Sequence, residues 1–393
     1  MLASSRKQNL GQFFTKNSDY ILSGLSGFVE NKEVIDPFAG NRDLMSWAKR
    51  HGAVSVKGFD IDDRLIDHKN VFLNDGIKDP LNYKFLLTNP PYLHKNKASK
   101  ITKANYFSGQ NSKFEDLYQV SINSILNSEE GIMIVPLNFL SAENSRRIRE
   151  IFFKKFKIMK LNIFYERVFD DTTYNVVSFY YKLKDTESEA NEIDAMIFPE
   201  KKAVKLVLER KYGWRMGGKF DSKISKIPNI LGIYRLTESM LKKGTKKIQL
   251  AFNHIKEKNT YFVDENIFKK INKNIILLKA IDSKSKDKIQ LEDIRKYNVS
   301  GLVGKQTSRN MAYLIFKEDI DIDKQVKLIE GFNEELKKAR EEHLSFFLTN
   351  FRDNNRKRIS FDFSYKLINY VYFQKVYNKP SHFLEFEQTS INL

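Results

Sequence analysis

Through the first 180 residues, short apolar runs alternate with stretches in which apolar positions return every three or four residues. Runs of strand length separated by helical patterns predict a doubly wound α/β domain around a mostly parallel sheet. Residues 33–40, EVIDPFAG, read as a strand ending in a loop, and 41–52, NRDLMSWAKRHG, as a helix stopped at Gly52. AVSVKGFDID (53–62) and KFLLTN (84–89) are the next strands; GIMIVPL (131–137) is another, after a helix in FEDLYQVSINSILNS (114–128). NVVSFYYKL (175–183) has the β-branched and aromatic content of a strand. The polar stretch KDTESEANE (184–192) reads as a linker, dividing the chain into 1–190 and 191–393. Beyond it the pattern loosens to a mixed α+β domain. Its clearest element is a helix within 322–347, where Ile322, Val326, Ile329, Phe332, Leu336 and Ala339 share one packing face.

The ends of the predicted strands carry the chemistry. Asp36-Pro37-Phe38-Ala39-Gly40 joins a strand to a helix, where backbone approaches a bound ligand closely. The full glycine fingerprint of a dinucleotide site is absent, and an acidic residue in its place suits a ligand with an amine-bearing end. Asp60 follows 24 residues later, the distance at which a carboxylate accepts the two hydroxyls of a ribose. Asp75, in LNDG, is 15 residues further on. An aspartate after a strand is most often a turn or helix cap. The ordered trio, followed by Asn89-Pro90-Pro91-Tyr92, is a more specific signal.

Charge adds a candidate partner. The 393 residues carry a net +18. Up to Ala190 there are 27 basic and 23 acidic residues; after it there are 40 and 26. An excess of base in the second half fits a polyanion, nucleic acid first, although a Lys-rich proteome would raise the charge as well. There is no cysteine, which removes disulfides, thiolate metal sites and a thiol nucleophile. The six histidines have no ligand spacing, so no metal is expected. No apolar run approaches the roughly 18 residues of a membrane helix, and the N-terminus lacks the features of a signal peptide. The expected compartment is the cytoplasm.

The order of these motifs resembles the S-adenosylmethionine-dependent DNA adenine-N6 methyltransferases of type II restriction–modification systems, in the gamma arrangement, over roughly residues 8–183. That resemblance implies a class I methyltransferase fold with a C-terminal target-recognition domain. NLGQFFT (9–15) would hold the cofactor's methionine end through Phe14 and Thr15. The loop of Asp36, Pro37 and Gly40 would wrap the cofactor, with Asp36 near its amino group. Asp60 would take the ribose hydroxyls with Ile61 beside it, and Asp75 the exocyclic amine of the cofactor's adenine. Asn89, Pro90, Pro91 and Tyr92 would be the catalytic tetrapeptide, Asn89 also bordering the cofactor. FEDLYQV (114–120) and residues 131–150 match later scaffold motifs. RVFDDTTYNVVSFY (167–180) points to Phe169 as a ring against the target base. Arg309, Arg356 and Arg358 are the candidate DNA contacts, in basic stretches with aromatic residues nearby.

The chemistry needs those residue types. An exocyclic adenine nitrogen is a poor nucleophile because its lone pair is delocalised into the ring. Two acceptors, the Asn89 side-chain oxygen and the Pro90 carbonyl, would localise the pair. The prolines fix φ and remove a competing N–H. Tyr92 would stack on a base extruded from double-stranded DNA. A cytosine-N4 enzyme would more often carry Ser-Pro-Pro. Protein-glutamine methyltransferases with NPPY lack a large basic second domain, and the rRNA dimethyladenosine enzymes typically lack the second proline. A relative that binds DNA without catalysis would not need an intact tetrapeptide. A cognate restriction endonuclease encoded nearby is implied by the family alone.

Overall fold

The computed structural model describes residues 15, 17–169, 174–282, 287–350 and 357–376. The chain divides into two compact units after Met216. The first is built on a nine-stranded sheet: β1 (Glu33–Asp36), β2 (Ser55–Asp60), β3 (Val71–Leu73), β4 (Tyr83–Thr88), β5 (Ser128–Pro136), β6 (Phe156–Phe164), β7 (Val176–Leu183), β8 (Ala190–Phe198) and β9 (Lys202–Glu209). The order across the sheet is β3-β2-β1-β4-β5-β7-β6-β8-β9. Five of its eight neighbouring pairs run parallel, and β7 enters antiparallel between β5 and β6. This is the doubly wound, mostly parallel architecture that the sequence pattern predicts.

The local pattern explains the central elements. In β4, YKFLLT, every residue but Lys84 is buried, as expected for a strand covered on both faces. Helix α1 (Asp43–Arg50) follows β1 and buries Leu44, Met45, Trp47 and Ala48. Helix α2 (Lys100–Tyr106) starts at Ser99, whose hydroxyl accepts from the Thr102 N–H. At the start of α3 (Leu117–Ser124), the Gln119 side chain reaches back to the Asp116 N–H, satisfying a donor the helix cannot use. Helix α4 (Arg146–Lys155) buries Ile148, Phe152 and Phe153.

Three strands were not legible in the sequence, and β3 was expected only as a strand end before Asp75. β3 is three residues long, too short to show a period. β6 follows α4 with no turn residue between them and carries Lys157 and Lys160 within its run. β8 and β9 lie beyond the expected boundary at 190: β8 alternates buried and exposed positions, pairs parallel with β6, and its hairpin with β9 completes the sheet. The compact unit therefore continues to Met216.

The second unit contains helices α5 (Gly218–Ser225), α6 (Glu265–Asn272), α7 (Ile322–His343) and α8 (Phe361–Val371) and two small sheets. One sheet orders β10 (Tyr234–Arg235), β16 (Met311–Ile315), β13 (Ile276–Lys279) and β14 (Gln290–Asp293); the other places β11 (Lys243–Phe252) between β12 (His254–Val263) and β15 (Gly301–Val303). Helix α7 realises the sequence expectation: Phe332, Leu336 and Ala339, joined by Leu328, enter the same core as Ile276, Leu278 and Leu291, and Ile322, Val326 and Ile329 pack half-buried against it. No helix among the described residues is long and apolar enough to cross a membrane.

Candidate active site

Three chemistry-bearing residues stand at the carboxyl ends of adjacent parallel strands: Asp60 ends β2, Asp36 ends β1, and Asn89 follows β4. In open α/β sheets that edge is the usual ligand crevice. Asp36 is 1% exposed. Its Oδ1 accepts from the Thr88 hydroxyl at 2.8 Å and from the Phe38 N–H at 3.1 Å. Burial pushes its carboxyl up to about 7 in spite of both donors, and neighbouring Asp60 adds to the rise. Among the described residues no cation pairs with this buried carboxyl, which has neutral donors and a second acid beside it.

Asp60 is also buried, and burial raises its pKa. It accepts from the Gly40 N–H at 2.9 Å and the Asp62 N–H at 2.8 Å, while the Ala39 N–H donates to the Phe59 carbonyl. These bonds clasp the loop after β1 to the end of β2. Gly40 turns there with φ of 48°, a conformation costly for any residue with a Cβ. The turn after β3 comes equally close, since a Cβ on Gly76 would lie 2.9 Å from the Pro37 carbonyl oxygen. Ile61, beside Asp60, is 42% exposed, an aliphatic surface open at the crevice edge.

Asp75 sits in that turn. Its Oδ1 accepts from the N–H groups of Ile77 and Lys78, and its Oδ2 from the Tyr106 hydroxyl at 2.9 Å. Burial and this carboxylate push the Tyr106 phenol up. The turn-cap role and a side-chain partner from α2 thus coexist at one residue.

Asn89 is held at both ends of its amide. Nδ2 donates to the Thr15 hydroxyl at 3.1 Å, and the Tyr92 hydroxyl bonds to Oδ1. The same phenol lies 2.9 Å from the Ile134 carbonyl oxygen on β5. Tyr92 is buried, and its ring meets Tyr174 and Tyr118 at steep angles of 62° and 85°. Burial, then these two phenols, raise its pKa. The ring expected to be open for stacking is therefore packed among aromatic neighbours, because its hydroxyl is drawn inward to two oxygens. Pro90 is buried and Pro91 half-buried.

Phe169 is buried, its carbonyl accepting from Arg167 Nε at 2.7 Å. Phe14 and Arg356 lie outside the described residues. In the second unit Arg309 is exposed and bonds the carbonyls of Gln306 and Ser308. Burial and the nearby Arg309 hold the Arg358 guanidinium below its usual value. Sequence reading missed Thr88, Tyr106, Tyr118 and Tyr174. Tyr174 falls inside the 167–180 motif, so its proximity to Tyr92 was open to inference; the other three act through folds of the chain that no local pattern signals.

Residues 15–169 match the family model of the Eco57I restriction-modification methylase. This segment resembles the methylases of restriction–modification systems. The matched span of these methylases includes all three aspartates, the Asn89–Tyr92 tetrapeptide and Phe169. No curated protein matches the chain. Similar solved structures include a type I restriction-modification system methyltransferase subunit from Streptococcus thermophilus, at 16% identity over 49% of each chain with a TM-score of 0.33. The M protein of the type I restriction enzyme EcoKI is 13% identical over 43% of this chain and 44% of its own, with a TM-score of 0.31. The type IIG restriction endonuclease BpuSI is 12% identical over 89% of this chain and 59% of its own, with a TM-score of 0.42. The chain therefore spans between 44% and 59% of the length of these three proteins.

Proposed function

We propose that the protein is a DNA methyltransferase of a restriction–modification system, transferring a methyl group from S-adenosylmethionine to the N6 amino group of adenine in duplex DNA. The observation that carries this reading is the alignment of Asp60, Asp36 and Asn89 on three neighbouring strand ends, inside a segment that matches a restriction-modification methylase model.

The residues present fit the cofactor. Asp36, a buried carboxyl in want of a cation, suits its ammonium group. Asp60 supplies acceptors for the ribose hydroxyls, and exposed Ile61 an apolar surface for the adenine ring. When bound, S-adenosylmethionine supplies an electrophilic methyl group with its own leaving group, so no strong general base is required of the protein.

The chain's own part is to activate and aim the nitrogen. Asn89 Oδ1 and the Pro90 carbonyl accept the two amine hydrogens, drawing the nitrogen toward tetrahedral geometry. Consecutive prolines keep that carbonyl's direction fixed, so little rearrangement accompanies the reaction. A base within a duplex cannot reach such a group. The target nucleotide must be extruded at a cost of a few kcal/mol, offset by stacking and hydrogen bonds in the pocket. Tyr92 and Phe169 are the rings assigned to that stacking, which requires Tyr92 to turn out from its contacts with Tyr174 and Tyr118.

The deciding experiment is transfer of labelled methyl to duplex DNA followed by nucleoside analysis. N6-methyladenine is the expected product. N4-methylcytosine would keep the enzyme class and change the target, whereas label on RNA or on protein glutamine would overturn the reading.

A further inference from the structure

In the second unit, β11 and β12 form an antiparallel ribbon of two ten-residue strands, and β12 is the edge of its sheet. The ribbon has two unlike faces. Ile248, Leu250 and Val263 turn inward to a core shared with Leu236, Ile271 and Leu302. The opposite face follows from the register: Lys247 pairs with Phe262, Gln249 with Thr260 and Ala251 with Lys258. Paired residues project to the same side of a sheet, as do residues two apart along a strand. Lys247, Gln249, Lys258, Thr260 and Phe262 therefore share one surface, and all five are exposed, Phe262 to 59%, while Ala251 opposite Lys258 is buried and bounds it.

The charge of this element is one-sided. Residues 242–263 hold six lysines and a single glutamate. Lys246, on the inward-facing side, is paired with Glu265 at 3.1 Å. Among the described residues neither Lys247 nor Lys258 has a carboxylate within salt-bridge distance. At the tip, the Asn253 side chain accepts from the Lys305 N–H at 2.7 Å, bringing the basic loop after β15 alongside. Lysines on an edge strand protect it from pairing with another sheet. That role explains charge on β12 but neither the bare ring of Phe262 nor the hydrogen-bonding pair Gln249 and Thr260.

We propose that this outward face of the β11–β12 ribbon is a duplex-DNA contact surface, a proposal that rests on the DNA methyltransferase reading above. A two-stranded ribbon fits the major groove, which is about 12 Å wide. Lys247 and Lys258 contact phosphates and set position, Gln249 and Thr260 reach base edges, and Phe262 packs against thymine methyl groups or sugars. Charge complementarity selects nucleic acid, and the groove dimension selects the duplex.

The test measures binding of full-length protein to a fluorescent duplex across a salt series, with S-adenosylmethionine affinity recorded on the same preparations. For Lys247→Ala/Lys258→Ala, duplex affinity is expected to fall about tenfold or more, and the log–log salt slope to become shallower by roughly 0.9 per lysine. Cofactor affinity is expected to stay at the wild-type value, and an unchanged circular dichroism spectrum and melting curve report an intact second unit. Lys337→Ala, an exposed lysine of α7, is the charge control and should bind as wild type does. Unchanged affinity and slope in the double variant would overturn the ribbon proposal and leave the methyltransferase reading standing. Wild-type protein that ignores duplex DNA but binds single-stranded RNA or anionic phosphatidylserine vesicles would overturn both.

Discussion

Asn89 is a half-buried amide whose nitrogen is set by Thr15 and whose oxygen is set by Tyr92. Orientation at this residue thus draws on two hydroxyls, one from distant Thr15 and one from Tyr92 in the same tetrapeptide. Asn89→Ala removes an acceptor and is expected to lower methyl transfer on the order of a hundredfold or more, the scale for one preorganised hydrogen-bonding group. Cofactor binding, measured by calorimetry, should survive. Tyr92→Phe keeps the ring but frees the amide, and is expected to cost about tenfold to a hundredfold in single-turnover rate through loss of aim. Asp36 makes a pH prediction. The folded protein retains a proton up to about 7, against the ordinary aspartate value of 3.8 in the unfolded chain. Stability should therefore fall as pH rises between those values and level off above them. Asp36→Asn should melt higher than wild type at pH 8 and the same near pH 3. Because an ammonium group prefers the ionised carboxylate, S-adenosylmethionine affinity should drop about tenfold from pH 8 to pH 6 in wild type, and stay flat in the asparagine variant.

At the scale of elements, strands declared themselves where composition and length agreed. The apolar run before Asn89 became β4, and the β-branched and aromatic Val176–Leu183 became β7. Helix α7 was legible from its apolar stripe, yet the stripe concealed a polar anchor. Arg340, 9% exposed, reaches Asp282 at 3.0 Å and Asp287 at 2.9 Å, and Asp282 in turn accepts from the Lys288 and Ile289 N–H groups. A buried pair of this kind is costly to break, and exposed Asp287 would compensate the remaining Arg340 only in part. Asp282→Ala is expected to destabilise the second unit by about 3–5 kcal/mol in denaturant unfolding. No spacing rule links positions 282 and 340, so this contact could not be read in advance. The site divides the same way: strand-end aspartates and the tetrapeptide stood out by order and spacing, whereas Thr88 and Tyr106 entered through tertiary contacts.

Over the whole molecule, the sequence distinguished an α/β first part from a basic second part but misplaced their meeting point. A polar stretch such as 184–192 resembles a linker because it leaves solvent-exposed turns between strands, and the hydrophobic alternation of β8 begins inside it. Ile193, Ala195, Ile197 and Phe198 are all buried in the sheet that a break after Ala190 would interrupt. A chain ending at 190 would uncover the flank of β6, so it should aggregate on expression, while one ending at 216 should stay in solution with more ordered secondary structure by circular dichroism. Equal behaviour of the two fragments would count against assigning β8 and β9 to the first unit. Charge is distributed over the molecule in a way that no single residue reveals: lysines that look scattered along 242–263 gather on a ribbon once its strands pair.

A phenol has one hydrogen, yet Tyr92 points its own at two oxygens, those of Asn89 and Ile134. It can therefore surrender the amide and stay satisfied by the backbone of β5 until its ring turns out toward the base. An arriving amine would then displace a bond whose loss the protein hardly registers, and the acceptor that must greet the substrate would be kept aligned beforehand without being locked away.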